Sequence, residues 1–326
     1  MMAPAPDRDH RSLATTLLPH LKNACEDRLR DVVWFKADWQ RGGAATGRAL
    51  WHVDGREPAQ VIIKIPVGPR ELTWLHRLQP EPADFDNPVV PRVHASGTTL
   101  GGYDLAWVVM ERVQHGPLGM RWHKDHVKRI AEAATLFWTT ADKFVVEEEK
   151  ARYEDWPEMV DEARRSVRRN EPKNSSDWLL LLKILSSGID DLVEQWRGRD
   201  TDHWIHGDLH FANALSRTGL QQGPVTLIDL AEVRPGHWLE DAVYLERQLW
   251  AMPDRLVSSK PVKTMVKARR IAGMPVVEHW DELANIRRAL MAGTAPTFMR
   301  SEGHPRFFES CLVQLERSLK ALRLLR

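Results

Sequence analysis

His206-Gly207-Asp208-Leu209-His210-Phe211-Ala212-Asn213 is the stretch of this sequence that decides the fold. It follows a short apolar piece, Trp204-Ile205, and predicts a tight turn. An Asp and an Asn five positions apart on such a turn can face one point. The carboxylate can accept a proton from an attacking hydroxyl, and the amide oxygen of Asn is a hard ligand suited to Mg²⁺.

A second carboxylate follows sixteen residues after Asn213. Val225-Thr226-Leu227-Ile228-Asp229 has the pattern of a buried strand that ends in an acid. A buried carboxylate is costly unless it is paired, and a divalent cation would neutralise it. Asp208, Asn213 and Asp229 together therefore predict a base and an oxygen-ligand metal site, which is what phosphoryl transfer requires.

Each of these pieces also has a purely structural interpretation. His206-x-Asp208 can be a turn closed by capping hydrogen bonds, and an Asp at the end of a strand often caps the following helix. The order of the three polar residues, downstream of a predicted sheet, favours the chemical site over these separate explanations.

The residues upstream of the turn predict a small sheet, and those around and after it predict helices. Strands are expected at 32–35, 48–53, 61–65, 88–93 and 106–113, with Asp54-Gly55 as a hairpin turn. Helices are expected at 12–24, 69–78, 126–139, 178–196 and 307–325, where apolar residues recur at a helical period. The sequence therefore predicts an α+β fold, β-rich up to about residue 113 and mainly helical beyond it.

Composition argues against several classes of function. Lys plus Arg (46) nearly equals Asp plus Glu (45), so no global field favours nucleic acid or a membrane surface. No stretch approaches 18 consecutive apolar residues, and the polar N-terminus lacks the apolar core of a signal peptide. Two cysteines, Cys25 and Cys311, are too few for a disulfide framework, so a cytoplasmic protein is expected.

HGDLHFAN followed by LIDL resembles the catalytic loop and metal-binding strand of the aminoglycoside phosphotransferase/choline kinase-like family. That family is a branch of the protein-kinase-like fold, so the resemblance implies a bilobal protein. Residues 1–113 would form a nucleotide-binding N-lobe and residues 114–326 a catalytic, acceptor-binding C-lobe. The resemblance further implies that Asp208 is the catalytic base and that Asn213 and Asp229 hold Mg²⁺. The implied nucleotide is ATP, with GTP not excluded.

The same resemblance assigns nucleotide-binding residues in the N-lobe. Gly42 and Gly43 stand between the first two strands, where the nucleotide-covering loop is expected. Lys64 on the third strand matches the lysine that contacts the α- and β-phosphates. Glu71 matches the helix glutamate that pairs with that lysine. Glu111 to Val113 falls where backbone groups of the hinge bind the adenine edge.

One family motif is altered here. Gly236 and Asp241 resemble the G-x-x-x-x-D that supports the catalytic loop, but Gly236-His237-Trp238 replaces the usual Gly-Asp-Pro. His237 and Trp238 are a candidate stacking surface for a sugar or a flat ring. The short distance from Asp229 to Asp241 leaves no room for a long activation segment, which favours a small hydroxylated acceptor over a protein.

The charge pattern does not identify the acceptor. Residues 147–162 hold eight acidic and two basic residues, which would suit a cationic acceptor. Residues 255–270 hold six basic residues and no acid, which would suit an anionic one. Both segments are also typical of solvated helix faces.

Two other functions fit parts of the sequence. A kinase-like binding module without activity would keep this fold, although the acid, amide and lysine residues of the predicted site are all present. His206-x-Asp208-x-His210 also fits a metal-dependent hydrolase with both imidazoles as ligands, but no further His/Asp motif completes such a site. In the kinase interpretation His206 braces the catalytic loop by hydrogen bonds.

Overall fold

The computed structural model describes residues 8–35, 44–79, 88–146, 149–298 and 304–325. The chain divides into two compact units. The first comprises Met1–Met120 with Asn213–Val233, and the second comprises Arg121–Ala212 with Arg234–Arg326. The functional division at residues 113 and 114 stays a prediction.

The first unit contains one antiparallel sheet of five strands. These are β1 (Leu29–Phe35), β2 (Ala45–Trp51), β3 (Ala59–Ile65), β4 (Val93–Gly97) and β5 (Trp107–Glu111). Their order is β1-β2-β3-β5-β4. The prediction of a strand over 88–93 was wrong, because β4 begins only at Val93. Prolines at 88 and 91 cannot donate to a ladder, and the Val89 carbonyl accepts instead from the Leu227 amide (2.8 Å).

Two helices accompany this sheet. The first, α1 (Arg8–Ala24), packs on it through Leu17 and Leu21, and Pro19 lies inside the helix without ending it. The second, α2 (Pro69–Arg77), begins four residues after β3. Proline suits its first turn because that turn needs no amide donor. The short connection brings the first turn of α2 close to the end of β3.

Four short strands form two further antiparallel pairs. They are β6 (His203–Ile205), β7 (Ala214–Ser216), β8 (Val225–Leu227) and β9 (Arg234–Gly236). In the first unit β7 pairs with β8, and in the second β6 pairs with β9. The predicted strand before Asp229 is present as β8, but it ends at Leu227. Asp229 has 47% of its side chain exposed, so the expectation that this carboxylate is buried was wrong. The predicted turn at 206–213 follows β6.

The second unit is mainly helical. Its helices are α3 (His126–Ala141), α4 (Trp156–Asn170), α5 (Ser175–Ser187), α6 (Ile189–Arg197), α7 (Trp238–Arg247), α8 (Pro253–Ser259), α9 (Pro261–Ile271), α10 (Trp280–Thr294) and α11 (Pro305–Ala321). The single helix predicted over 178–196 is two helices, because the helix is interrupted at Gly188. A Cβ there would lie 3.2 Å from Leu324 Cδ2, so glycine allows this close approach. No helix among the described residues is long and apolar enough to cross a membrane.

Candidate active site

The turn that carries Asp208 follows β6 directly. Gly207 has φ +79°, a left-handed conformation that glycine adopts without steric cost. His206 is 1% exposed and its ring lies 5.8 Å from that of Phe137. Its Nδ1 accepts a hydrogen bond from the Asp208 amide (3.3 Å). The turn is thus closed by a buried imidazole rather than left as an open loop.

Asp241 on α7 holds the backbone of this turn. It is 1% exposed, and its two carboxylate oxygens accept from the amides of His206 and Gly207, each at 2.9 Å. The Trp138 indole donates a third hydrogen bond at 3.1 Å. Burial raises the pKa of Asp241, although these donors and His206 act in the opposite direction. Three donors on one buried acid fix where the turn starts.

The Asp208 side chain is partly accessible, with 27% of its surface exposed. His210 Nε2 lies 3.4 Å from Asp208 Oδ2. Burial acts to raise the pKa of Asp208, but hydrogen bonds from His210 and Tyr244 and the charge of His206 outweigh it, so the pKa is lowered. The carboxyl is therefore ionised at neutral pH and able to accept a proton.

In the first unit, Lys64 lies between two carboxylates. It stands on β3 opposite Thr46 of β2. Its Nζ is 2.8 and 2.6 Å from the two oxygens of Glu71 on α2, and 3.7 Å from Asp229 Oδ1. Glu71 is 4% exposed, and burial raises its pKa despite the opposing charge of Lys64. The lysine is thereby held in one position by a buried acid.

Asn213 and Asp229 lie at the same end of the β7–β8 pair. Ala214 is opposite Leu227, and the Asn213 carbonyl accepts from the Ile228 amide (3.0 Å). Their side chains supply oxygen donors, which suit Mg²⁺. Within the described ranges, no three His, Cys, Asp or Glu side chains are grouped to hold a metal. A donor pair of one amide and one carboxylate fits Mg²⁺, which completes its shell with water and substrate phosphates.

The remaining predicted nucleotide residues have different outcomes. Gly42 and Gly43 lie outside the described residues. Glu111 ends β5, where its side chain pairs with Arg217 and accepts from the Arg92 amide (3.3 Å). Val113 follows in the connection after β5, and none of the described residues pairs with its backbone amide. The role of Val113 as a hinge donor stays a prediction.

Comparison with known proteins decides the family. The model of the phosphotransferase enzyme family (APH) matches residues 64–280, which span Lys64, the turn and Asp229. The chain belongs to this family. The family predicted from the sequence is therefore confirmed, and membership supports a small-molecule phosphotransferase. No curated protein sequence matches the chain.

Several solved structures share the fold. A microcompartment-associated aminopropanol kinase has TM-score 0.60 and 16% identity, over 97% of this chain and 99% of that chain. An aminoglycoside phosphotransferase from Alicyclobacillus acidocaldarius has TM-score 0.56 and 15% identity, over 99% and 97%. Spectinomycin phosphotransferase, in complex with ADP and spectinomycin, has TM-score 0.51 and 12% identity, over 93% of both chains. The predicted protein-kinase-like α+β fold is confirmed.

Gly236-His237-Trp238, which replaces the family's Gly-Asp-Pro, leads into helix α7. His237 is the N-cap of α7: its Nδ1 accepts from the Leu239 amide (3.3 Å), while Glu240 Oε1 accepts from the His237 amide (3.0 Å). His237 and Trp238 are 3% and 4% exposed, so their proposed role as a stacking surface was wrong. The imidazole instead starts the helix that carries Asp241.

The contacts of the two histidines of the turn favour the phosphotransferase over the hydrolase. His206 Nδ1 accepts from the Asp208 amide, and His210 Nδ1 accepts from the Ala212 amide at 3.1 Å. Each ring therefore uses one lone pair to hold the backbone of the turn. His206 is also almost fully buried. Both residues brace the turn of this phosphotransferase-family protein.

Tyr244 and Arg217 are two residues that the sequence reasoning missed. Tyr244 lies three positions after Asp241 on α7, a spacing that places both on one helix face. That spacing was available in the sequence. The partnership of Arg217 with Glu111 spans 106 residues and carries no local signal.

Proposed function

We propose that this protein transfers the γ-phosphoryl group of ATP to a hydroxyl group of a small-molecule acceptor, with Mg²⁺ as the metal. Family membership supports phosphoryl transfer. The observation that carries the proposal is the position of Lys64, held by Glu71 and 3.7 Å from Asp229. A fixed lysine beside a partly exposed acid can bind phosphate oxygens and a metal together, which is the main requirement of this chemistry.

On the nucleotide side, the two carboxylates have different roles. Glu71 is buried and orients Lys64, whose ammonium group would contact the α- and β-phosphates. Asp229 has 47% of its side chain exposed and, with Asn213, would hold Mg²⁺. When bound, Mg²⁺ supplies neutralisation of the phosphate charge. Glu111 to Val113 would bind the purine edge through the backbone, which leaves both ATP and GTP as candidates.

On the acceptor side, Asp208 would orient the attacking hydroxyl and accept its proton. Its lowered pKa makes it a weak base. A weak base is sufficient, because phosphoryl transfer proceeds through a loose transition state and depends mostly on positioning. We choose the acceptors to test from two structures of similar fold, an aminopropanol kinase and a spectinomycin phosphotransferase. Aminopropanol and spectinomycin are therefore the first acceptors to test.

The test combines nucleotide binding with turnover. We expect MgATP to raise the melting temperature of the wild type, and Lys64→Met to abolish most of that shift. Lys128→Met is the matched control, because this lysine is 71% exposed. Asp208→Asn should keep the MgATP shift but lose turnover by 100-fold or more, on the order of a general base's contribution.

Each outcome has a distinct meaning. A MgATP shift without turnover of any acceptor in a panel of hydroxylated metabolites and antibiotics would favour the inactive binding module. Stoichiometric zinc binding with no nucleotide shift would favour the hydrolase. Unchanged turnover in Asp208→Asn would refute the assignment of the base.

A further inference from the structure

The carboxylate of Asp208 is contacted by side chains from two directions. His210, two residues further along the turn, places Nε2 at 3.4 Å from Oδ2. Tyr244, on α7, donates a side-chain hydrogen bond to Asp208. The centroids of the two rings are 6.2 Å apart, and the ring planes are tilted by 46°. We call Tyr244 and His210 the Asp208 clamp.

The hydrogen bonds of His210 determine where its proton lies. Nδ1 accepts from the Ala212 amide at 3.1 Å, so in the neutral ring this nitrogen carries no proton. The proton must then be on Nε2, the atom that faces Asp208. His210 is therefore a donor to the carboxylate, and the backbone of the turn fixes its tautomer.

Tyr244 comes from the helix that also holds the turn. Asp241 binds the amides of His206 and Gly207, and Tyr244 lies three residues later on the same helix. Helix α7 therefore acts on this turn through two residues. Asp241 holds the backbone before Asp208, and Tyr244 holds the side chain of Asp208. Two donors, one local and one from α7, restrict the rotation of the carboxylate.

We propose that His210 and Tyr244 are positioning residues that hold the Asp208 carboxylate in the orientation that accepts the proton of the acceptor hydroxyl. This inference rests on the proposed function. The proton passes from the hydroxyl to Asp208 and then to solvent, while the clamp residues keep their own protons. Misplacing a reacting group by about 1 Å can cost on the order of 100-fold in rate, so modest losses of orientation should be measurable.

Three substitutions separate the two donors. Tyr244→Phe keeps the ring and removes the hydroxyl. His210→Asn keeps an acceptor near the Nδ1 position for the Ala212 amide but has no donor that reaches Asp208. His210→Gln places a donor near the Nε2 position. Tyr153→Phe is the control for the tyrosine, because that ring is 70% exposed.

The rates are measured with MgATP and aminopropanol, and with water as the acceptor in parallel samples. We expect Tyr244→Phe and His210→Asn each to lower kcat by about 10-fold, with KM for MgATP changed less than about twofold. His210→Gln should recover much of the lost rate. In an Asp208→Asn background, Tyr244→Phe should cause no further loss, because the group that it positions is already gone.

A purely structural role predicts other results. Variants that keep wild-type kcat while losing thermal stability would overturn the inference, as would an undiminished effect of Tyr244→Phe in the Asp208→Asn background. Absence of any ATP turnover in the wild type would overturn the proposed function itself. Normal wild-type turnover with unaffected clamp variants would overturn the clamp alone.

A second measurement does not depend on activity. Long-range ¹H–¹⁵N spectra of histidine-labelled protein, assigned with His210→Gln, report the tautomer directly. We expect the Nε2–H form, with a shift of that resonance in Tyr244→Phe and Asp208→Asn. The Nδ1–H form would contradict the clamp, because its proton would point away from Asp208.

Discussion

Acidification should destabilise this protein through His237. Its folded-state pKa is lowered from 6.5 to about 3, chiefly by burial and secondarily by Arg199 and Arg269. Protonation would also remove the Nδ1 acceptor that caps α7 and place a positive charge at a helix N-terminus. The unfolded chain therefore binds this proton more readily, so the associated stability is complete above pH 6.5 and is lost as the pH falls toward 3.

The size of the effect follows from the two pKa values. At pH 5 the unfolded imidazole is mostly protonated and the folded one is not, which lowers the free energy of unfolding by about 2 kcal/mol relative to pH 8. His237→Asn is the matched variant, because asparagine is a good N-cap acceptor that does not titrate in this range. Because asparagine is smaller than histidine, the substitution should also lower the free energy of unfolding, by the same amount at both pH values.

The assay is urea denaturation of both proteins at pH 8 and pH 5. The difference between wild type and His237→Asn isolates this histidine, because other titrating groups such as His203 are common to both. We expect the wild type to lose about 2 kcal/mol more than the variant between the two pH values. A differential loss below about 0.5 kcal/mol would refute the reasoning, since a folded-state pKa near 3 requires a larger one.

Three further substitutions test the supports of the site. Asp241→Asn should lower the free energy of unfolding by about 3 kcal/mol, because the amide nitrogen must face one of three donors; equal urea midpoints would contradict this. Glu71→Gln should raise KM for MgATP by roughly 10-fold, because Lys64 loses the partner that orients it, and unchanged initial rates would argue against that role. Gly236→Ala should destabilise the protein by about 1–3 kcal/mol, because its Cβ would lie 2.7 Å from Ile205 Cδ1; an unchanged melting temperature would show that the site relaxes freely.

The parts of the site that were predictable are those whose residues lie close together in the sequence. Lys64 and Glu71 are seven residues apart, at the end of a strand and in the first turn of the next helix. A short connection between two elements of known type restricts where such residues can lie. The Asp208 turn was predictable for the same reason, because its residues are adjacent in sequence.

Interactions between distant segments were not predictable in this way. The donation from Tyr244 to Asp208 and the pairing of Arg217 with Glu111 depend on how separate elements pack. His237 was misjudged because an exposed aromatic pair and a buried helix cap have the same sequence pattern. The prediction of a strand over 88–93 was wrong because the Val89 carbonyl accepts from the Leu227 amide rather than pairing with the sheet. The apolar residues of this segment do not reveal that partner.

Contacts with buried ionisable side chains explain why the chain has tryptophan at some of its 14 tryptophan positions. Arg269 is 4% exposed and lies 5.1 Å from the ring centres of both Trp138 and Trp238, while its guanidinium donates to the Pro275 carbonyl. Burial lowers its pKa to about 10, so it remains a cation at neutral pH. The face of Trp138 thus stabilises a cation, and its indole N–H donates a hydrogen bond to the buried carboxyl group of Asp241. A leucine is smaller and would provide neither interaction, and a phenylalanine would provide only the first. The support beneath the Asp208 turn therefore requires the indole for both its face and its N–H group.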